Sequence, residues 1–384
     1  MRVLLVCPYD PNRHGGVQRH IHALAKALQS RGDETLILAP GSTAAPQRGQ
    51  RRIGRMRSIA FAGTRFEISW AGKEDLSGLQ CDLEAWQPDV AHFHTLWDPL
   101  MPYQVFRKLD VPRVATFHDT PPAGLMGAAL RTAFKTLSRY LLGQLDGAIA
   151  VSAAPLGHLR PGRHGAVPVV LPPAIDLSPF FAVTKAEASP PRILFLGRLE
   201  PRKGIHVLLD AIKLLARGDI PLPQANAPPQ LVVAGDGDLL PAVLARRAEL
   251  GDQWITHVPA PSQERQLTLL AEATLAVSPA LYGESFGIVL AEALATGTPV
   301  IGAANAGYRT VLTGPGETLL VPPGDAPALA RKIAALLASP AEREQLAQWG
   351  CQHARQYDIA ARIGDFENVY RDAIARHQRS NDDG

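Results

Sequence analysis

The sequence predicts an α/β protein made of two doubly wound, Rossmann-like domains. Three observations support this fold class. A strand, a glycine loop, a helix and a second strand follow one another over residues 2–39, a proline-rich stretch without periodicity occupies residues 172–191, and the alternation restarts at Arg192. Such repeated alternation is typical of parallel sheets with helices on both faces. The expected divisions are an N-terminal domain at 1–175, a linker at 176–191, a C-terminal domain at 192–360, and a C-terminal helix and tail at 361–384 that packs back on the first domain.

The first part of the chain contains short apolar runs with the composition of buried strands. These runs are Arg2–Cys7, Thr35–Ala39, Asp89–His94, Arg113–His118 and Gly147–Ser152. Between the first two, apolar residues at spacings of three and four predict a helix that starts near Val17 and ends at Gly32.

The second part repeats this pattern after the proline-rich stretch. Its predicted strands are Arg192–Leu196, Gln230–Ala234, Leu275–Ser278 and Pro299–Gly302. A helix is expected over Ile205–Leu215, and residues 327–377 are expected to be mostly helical. Ligands of doubly wound folds bind outside the carboxyl ends of the strands, so we expect a site in the cleft between the two domains.

The composition is that of an ordinary globular protein and excludes several function classes. Of 384 residues, 46% are hydrophobic and 20% are charged, and the formal net charge of +3 is too mild for a nucleic-acid-binding protein. The widely spaced Cys7, Cys81 and Cys351 exclude a disulfide framework and a paired-cysteine zinc site. Neither a signal peptide nor an apolar run of transmembrane length is evident, so a cytoplasmic location is expected.

The most informative stretch is GESFGIVLAE, residues 283–292. If a helix begins near Ser285, its first backbone amides can hold a phosphate. Glu284 and Glu292 then lie about 12 Å apart along the helix and nearly on one face. Carboxylates accept hydrogen bonds from vicinal hydroxyls, so the pair fits a ligand with a sugar at one end and a ribose at the other. The alternative is two solvated glutamates on a helix surface.

Two loops that follow predicted strands are further candidate ligand-binding segments. GRLEPRKG, residues 197–204, carries Arg198, Arg202 and Lys203. These cations can stabilise a departing diphosphate, although a solvated basic loop is the alternative. GGVQ, residues 15–18, offers close backbone approach to a ligand through glycine. Its spacing is not that of a dinucleotide-binding fingerprint, and an ordinary loop is the alternative.

Together these motifs resemble those of the GT4 family of retaining, nucleotide-sugar-dependent glycosyltransferases with the GT-B fold, especially its phosphatidylinositol mannosyltransferase branch. The resemblance covers nearly the whole chain and keeps the order of the motifs. The matching stretches are VCPY (6–9), GGVQ (15–18), VATFH (114–118), FLGR (195–198), PRKG (201–204) and GESFGIVLAEA (283–293). Residues 41–85 show no clear match, and residues 95–99 and Asp119 depart from that branch. The departures lie on the acceptor side, so the resemblance identifies the donor machinery better than the acceptor.

The resemblance implies a role for each matching residue. Arg198 and Lys203 hold the diphosphate, Glu284 binds sugar hydroxyls, Glu292 binds the ribose, and His118 faces the sugar; of these, His118, Arg198, Lys203 and Glu284 are the catalytic set. The implied donor-binding residues are Gly15, Gly16, Arg198, Arg202, Lys203, Glu284, Ser285, Phe286, Gly287, Ile288, Val289 and Glu292. The implied acceptor-binding residues are Tyr9, Gln18, His118 and Asp119.

The expected chemistry is transfer at the anomeric carbon with retained configuration. Arg198 and Lys203 would stabilise the charge that develops as the diphosphate leaves. A retaining glycosidase needs two carboxylates about 5 Å apart, and Glu284 and Glu292 are expected to lie too far apart on one helix for that mechanism. We therefore expect attack on the face that the diphosphate leaves, with the leaving phosphate taking the acceptor proton. No metal or other cofactor is expected to take part.

Three remaining signals have alternative interpretations. His92 and His94 share one face of a strand, but without a third ligand a metal site is not expected. The aspartates of the GDGD stretch at 235–238 can suggest a metal site, but the stretch is expected to be the turn after a strand. A basic patch and a basic amphipathic helix at 128–142 can dock on anionic lipid, or the cations are solvated and the helix packs on the sheet. The patch consists of Arg48, Arg51, Arg52, Arg55 and Arg57, and the apolar stripe of the helix consists of Leu130, Phe134, Leu137 and Leu141.

The sequence as a whole is interpreted as that of a hexosyltransferase of cell-envelope glycan synthesis. By resemblance it moves mannose from GDP-mannose to a hydroxyl of a lipid-linked or polysaccharide acceptor. Its expected partners are the nucleotide sugar, that acceptor and an anionic membrane surface at the inner face of the plasma membrane, with no nucleic acid. The alternatives are a transferase that uses a UDP- or ADP-sugar, a sugar-nucleotide epimerase on the same fold, and a non-enzymatic nucleotide-binding module.

Overall fold

Two units, each with its own parallel sheet, make up the computed structural model. One unit comprises Met1–Asp176 together with Tyr357–Gly384, and the other comprises Leu177–Gln356. The structure describes residues 1–11, 15–41, 48–61, 64–96, 100–120, 124–186, 188–223 and 227–382, and only the backbone of residues 58–61, 64–66 and 124–131.

The first unit contains a seven-stranded parallel sheet in the order β3-β2-β1-β6-β7-β8-β9 and a separate antiparallel hairpin of β4 and β5. Its strands are β1 (Arg2–Val6), β2 (Glu34–Pro40), β3 (Gln50–Ile53), β4 (Arg55–Phe61), β5 (Thr64–Trp70), β6 (Val90–His94), β7 (Arg113–Phe117), β8 (Gly147–Ala150) and β9 (Val169–Val170). Its helices are α1 (Gly16–Ser30), α2 (Lys73–Trp86), α3 (Met101–Phe106), α4 (Gly124–Leu142), α5 (Ala153–Leu156) and, at the far end of the chain, α13 (Ile359–Asp382).

The strand order reverses at β1, which has β2 on one side and β6 on the other. Such a reversal opens a crevice at the carboxyl ends of the strands, where doubly wound folds bind ligands. The residues that follow β1, β6 and β7 therefore lie at the predicted functional edge of this sheet. Helix α1 covers one face through Ile21, Leu24 and Leu28, all of them buried.

The division of the chain differs from the expected boundaries. The break falls after Asp176, and residues 177–191, expected as a linker, belong to the second unit, where Ser178–Phe181 forms the short helix α6. The C-terminal helix α13 lies in the first unit, where Phe366 and Tyr370 are fully buried in its core. The chain returns to the first unit beside the point where it left, because the amide of Ile359 donates to the carbonyl of Ile175 at 2.8 Å.

The second unit is a six-stranded parallel sheet in the order β12-β11-β10-β13-β14-β15, with its reversal between β10 and β13. Its strands are β10 (Arg192–Leu196), β11 (Gln230–Ala234), β12 (Ile255–Val258), β13 (Leu275–Ser278), β14 (Val300–Ala303) and β15 (Leu320–Val321). Its helices after α6 are α7 (Ile205–Arg217), α8 (Leu240–Leu250), α9 (Gln263–Glu272), α10 (Ile288–Ala295), α11 (Ala326–Ala338) and α12 (Pro340–Ala354).

The surface features singled out for membrane docking are divided between solvent and protein. Arg51 forms an ion pair with Asp82 at 2.9 Å, and the mostly buried side chain of Arg52 lies 3.6 Å from Asp10. On α4, Leu141 is 1% exposed, whereas Leu137 is 39% exposed. Leu130 belongs to the residues of which only the backbone is described. Among the helices in the described ranges, we found none with the length and apolar character needed to cross a membrane.

Candidate active site

Loops of the second unit meet at the carboxyl ends of β10, β11 and β13 through glycine. A Cβ built on Gly235 would lie 1.9 Å from the carbonyl oxygen of Gly197, and one built on Gly204 would lie 2.0 Å from that of Pro279. Gly235 and Gly204 both have positive φ angles, 143° and 70°. Because only glycine allows this conformation and this approach, the loop after β10 is held against the loops after β11 and β13.

A cluster of three cations and two carboxylates lies on the loops after β10 and β13. Glu200 binds two arginines, Arg198 Nη1 at 2.7 Å and Arg202 Nε at 3.0 Å. Oε1 of Glu284 accepts from Lys203 Nζ at 2.7 Å and from Arg202 Nη1 at 2.9 Å. With three positive and two negative groups, the cluster carries one excess positive charge. It is therefore suited to an anionic ligand.

Electrostatics keep Glu284 ionised within this cluster. Burial by itself raises the pKa of Glu284, but the charges of Lys203 and Arg202 outweigh burial and hold the pKa below its ordinary value. Burial lowers the pKa of Lys203, and the charge of Glu284 opposes that change. A negatively charged Glu284 can accept hydrogen bonds from ligand hydroxyls and cannot donate them.

Helix α10 begins at Ile288, three residues later than the expected start near Ser285. The reason is Gly287, whose left-handed conformation (φ 111°, ψ 63°) interrupts the helical path. Ser285 and Phe286 therefore belong to the loop before the helix. The first amides of a helix have no partner within it, so those of Ile288 and Val289 are the groups able to meet an anion.

Glu284 and Glu292 do not share a helix face, so that expectation is wrong. Glu284 lies in the loop before α10, and its carbonyl oxygen lies so close to Gly307 that a Cβ there would be 2.3 Å away. Glu292 lies inside α10 and is 0% exposed. A ligand can touch the Glu292 carboxylate only if the side chains around it move aside.

In the first unit, the loop after β1 is tied to the start of α1. Gly15 is the N-cap of α1 and Gly16 is its first residue. The side-chain amide of Gln18 donates to the carbonyl of Asp10 at 3.2 Å, and a Cβ on Gly15 would lie 2.3 Å from Gln18 Oε1. Tyr9, in the same loop, packs partly buried against the core.

His118 and Asp119 directly follow β7 and are both partly buried. His118 Nε2 lies 3.2 Å from Nδ1 of His94, which ends β6. The ring of His20, on α1, packs edge-on against both, with centroid distances of 5.0 Å to His94 and 5.1 Å to His118. Burial lowers the pKa of His118 to about 3, so the ring is neutral at physiological pH.

Comparison with known proteins identifies both units. Residues 14–179 match the family described as Glycosyltransferase Family 4, and residues 179–353 match that described as Glycosyl transferases group 1. A phosphatidyl-myo-inositol mannosyltransferase of Propionibacterium freudenreichii subsp. shermanii is 32% identical, over 82% of this chain and 80% of that protein. The chain belongs to glycosyltransferase family 4.

Two further comparisons concern a second relative by sequence and a solved structure with a similar fold. A phosphatidyl-myo-inositol mannosyltransferase of Mycobacterium leprae is 29% identical, over 96% of each chain. The solved structure of sucrose-phosphate synthase from Thermosynechococcus elongatus has a TM-score of 0.74 to this chain at 22% identity, over 97% of this chain and 99% of that chain. This likeness and the two doubly wound sheets confirm the predicted GT-B fold.

The predicted site residues of this family 4 glycosyltransferase fall into two groups. In the second unit Arg202 and Lys203 contact Glu284 directly, and Glu200 joins Arg198 to Arg202. The 285–289 segment follows Glu284 directly. Glu292, also in the second unit, is buried within α10. The first unit holds Gly15 and Gly16 of the donor set and Tyr9, Gln18, His118 and Asp119 of the acceptor set.

Sequence reasoning missed three residues that the structure places in these groups. Glu200 was not selected although it stands between Arg198 and Arg202, and its place between two cations was the available signal. His20 was not selected, and no local pattern distinguishes it on an amphipathic helix. His94 was considered only with His92 for a metal pair, whereas the structure also places His20 and His118 around it.

The GDGD stretch is a turn after β11, as expected. Asp236 accepts from the amide of Ala260 at 2.7 Å, and Gly235 and Gly237 have positive φ angles. One nitrogen from each of His20, His94 and His118 lies within 4.8 Å of the others, which is a possible ligand set for a metal ion by distance. His92 is not part of that set, and its two nitrogens contact Tyr370 and Thr116.

Proposed function

We propose that the chain is a retaining mannosyltransferase that transfers mannose from GDP-mannose to a hydroxyl of a lipid-linked or polysaccharide acceptor. The observation that carries the proposal is the cationic cluster on the loops after β10 and β13. Its excess positive charge and the start of α10 suit a nucleotide diphosphate. The mannosyl group is taken from the relatives, which are named phosphatidyl-myo-inositol mannosyltransferases, and GDP-mannose is taken from the resemblance of the sequence motifs.

In this proposal the residues of the second unit bind the donor and stabilise its departure. Arg198 and Lys203 contact the diphosphate and offset the charge that develops as the sugar–phosphate bond breaks. Glu284 accepts hydrogen bonds from sugar hydroxyls, and Glu292 from the ribose once its surroundings open. The two loop cations and the helix amides supply the positive charge, so the proposed chemistry requires no metal ion.

The state of the two glutamates argues against a covalent glycosyl–enzyme intermediate as the route to retention. A double-displacement mechanism needs a carboxylate free to attack the anomeric carbon. Glu284 is shared by Lys203 and Arg202, and Glu292 is fully buried, so both are unsuited to that role. We propose attack by the acceptor hydroxyl on the face that the diphosphate leaves, and the leaving phosphate takes the hydroxyl proton. An inverted anomeric configuration in the product, read by NMR, would contradict this mechanism.

The test is turnover on a panel of GDP-mannose, UDP-glucose, UDP-N-acetylglucosamine and ADP-glucose, followed by release of the nucleoside diphosphate. Release from GDP-mannose alone is expected. It should fall at least about 100-fold in Lys203→Met, the scale of losing one transition-state charge partner. Lys213→Met is the matched control, because Lys213 pairs with Glu249 on the surface of the same unit.

Two outcomes would overturn the proposal. Turnover of a UDP- or ADP-sugar in place of GDP-mannose would refute the donor assignment. A changed nucleotide sugar formed without an acceptor would indicate an epimerase.

A lipid-linked acceptor makes contact with an anionic membrane surface part of the proposal. Arg51 and Arg52 are engaged by carboxylates, so the exposed Arg55 and Arg57 are the cations to test. Flotation with vesicles that contain anionic lipid should weaken in the double variant Arg55→Gln, Arg57→Gln and should not change in Arg331→Gln. Equal flotation of the wild type and both variants would contradict membrane contact through Arg55 and Arg57.

A further inference from the structure

Four histidines pack together in the first unit, where α1 meets the carboxyl ends of β6 and β7. His20, His92 and His94 are 0% exposed, and His118 is partly buried. The ring centroids of His92 and His94 lie 4.3 Å apart, and those of His94 and His118 lie 5.5 Å apart. Each buried ring must hold its proton on one of two nitrogens, and the hydrogen bonds decide on which.

The position of the proton on His20 follows from one backbone contact. The amide of Ala174 donates to Nδ1 of His20 at 2.6 Å, so Nδ1 carries the lone pair. Burial lowers the pKa of His20 well below its ordinary value, so the ring is neutral and its single proton lies on Nε2. Among the described residues this Nε2–H has no hydrogen-bond partner.

These hydrogen bonds argue against a metal ion held by His20, His94 and His118. A metal-bound imidazole binds through a bare nitrogen and normally donates through its other ring N–H. His20 already accepts at Nδ1, so binding through Nε2 would require the loss of both ring protons. Nε2 of His118 is occupied by its hydrogen bond with His94. The distances fit a metal, but the directions of the hydrogen bonds do not.

One proton lies between Nδ1 of His94 and Nε2 of His118, and it has two possible positions. If His118 donated it, the proton of neutral His94 would lie on Nε2, a buried atom without a partner among the described residues. That arrangement would place a second unpaired N–H beside the one on His20. If His94 donates, its Nε2 is instead a bare acceptor. Buried N–H groups without partners are rarer in proteins than under-used acceptors, which favours donation by His94.

We propose that His94 is a positioning residue that holds His118 in the Nδ1–H tautomer. His94 Nδ1–H donates to His118 Nε2, and His118 therefore presents an N–H donor on its other nitrogen. In the proposed reaction His118 then donates a hydrogen bond to a sugar oxygen and does not act as a base. That the acceptor of this hydrogen bond is a sugar oxygen rests on the proposed function. The tautomer of His118 does not rest on it.

The test measures the tautomer directly on the ligand-free, full-length chain. Long-range ¹H–¹⁵N correlation spectra of ¹⁵N-histidine-labelled protein distinguish a protonated from a bare ring nitrogen. We expect Nδ1 of His118 to be protonated and Nε2 to be bare in the wild type. His94→Phe should shift His118 towards the Nε2–H form, and His94→Gln, whose amide can still donate, should retain the Nδ1–H form. His164→Gln, at an exposed position of the same unit, is the control and should leave the His118 signals unchanged.

The second measurement is the kcat of the proposed transfer reaction. His94→Phe should lower kcat by about tenfold, the scale at which a partner that orients a reactive side chain acts, with rescue in His94→Gln. A protonated Nε2 on His118 in the wild type, or the same tautomer in wild type and His94→Phe, would overturn the proposal. Stoichiometric zinc retained through dialysis would also overturn it. If the tautomer is as expected and no donor is turned over, the proposed function fails and the positioning role of His94 stands.

Discussion

Replacing Gly235 with alanine perturbs the contact that joins the loops after β10 and β11. The new Cβ would lie 1.9 Å from the carbonyl oxygen of Gly197, whereas close carbon–oxygen contacts are about 3.3 Å or longer. The two strand ends must therefore move apart by more than about 1 Å. Gly235 also has a φ of 143°, which alanine rarely adopts.

Two costs then add in the free energy of unfolding. Overpacking costs about 1–3 kcal/mol and the unfavourable backbone conformation about 1–3 kcal/mol, so the second unit should lose about 2–6 kcal/mol. A domain of this size loses about 2–4 °C of Tm per kcal/mol, which gives a fall of about 4–24 °C. Arg198 follows Gly197 directly, so its displacement should also raise the KM for the nucleotide sugar.

Differential scanning calorimetry and donor kinetics measure the two effects. Gly218→Ala is the matched control, because Gly218 also has a positive φ, 79°, but no heavy atom within 4 Å of the added Cβ. It should show the conformational cost alone and an unchanged KM. If Gly235→Ala loses no more stability than Gly218→Ala, the contact between the two loops is not what fixes Arg198, and the reasoning is refuted.

Three further predictions concern charges and buried groups. In Glu200→Gln the fold-increase in the KM for the donor should be about ten times the fold-decrease in kcat, because Arg198 and Arg202 lose the carboxylate that orients them. An unchanged KM would contradict this. Glu292→Gln should raise the KM for the donor, because the proposed function has this buried carboxylate bind the ribose; unchanged kinetics with altered stability would contradict that role and assign Glu292 to the core. Burial lowers the pKa of His92 to about 3, so its contribution to stability is full above about pH 6.5 and is lost as pH falls towards 3. Urea unfolding between pH 7 and 5 should therefore show a shallower pH dependence in His92→Gln than in the wild type.

Buried parallel strands were the part of the fold best predicted from sequence. Arg192–Leu196, Gln230–Ala234 and Leu275–Ser278 have the predicted ends, because strands covered on both faces are continuous apolar runs. Strand β3 was missed because it lies at a sheet edge and contains Arg51 and Arg52, so it has no apolar run. The β4–β5 hairpin was also missed, although β5 alternates apolar Phe66, Ile68 and Trp70 with polar residues, a pattern typical of a strand.

The charged part of the site was predictable because its residues lie in two short motifs. Arg198, Arg202 and Lys203 are close in the chain, and the contacts of Arg202 and Lys203 with Glu284 complete the cluster. The start of α10 was predicted wrongly because the left-handed conformation of Gly287 depends on surrounding tertiary structure. A Cβ there would lie 2.8 Å from the ring of Tyr308, which is distant in sequence.

The histidine cluster could not be predicted, for a different reason. His20, His94 and His118 stand on three separate elements, and their spacing along the chain carries no signal. They meet only when α1, β6 and β7 are packed, and the hydrogen bond from Ala174 that orients His20 comes from a fourth segment. Proton positions within such a cluster are therefore a property of the folded unit.

The return of α13 to the first unit sets an order of events during synthesis. The ribosome completes the whole second unit before it makes α13, although the sheet of the first unit is made earliest. Until that helix emerges, the first unit lacks Phe366 and Tyr370, and His92 lacks the Tyr370 hydroxyl 2.8 Å from its Nδ1. Domains generally fold as units during translation. The histidine cluster beside His118 therefore gains its contact with Tyr370 only after the whole second unit has been synthesised.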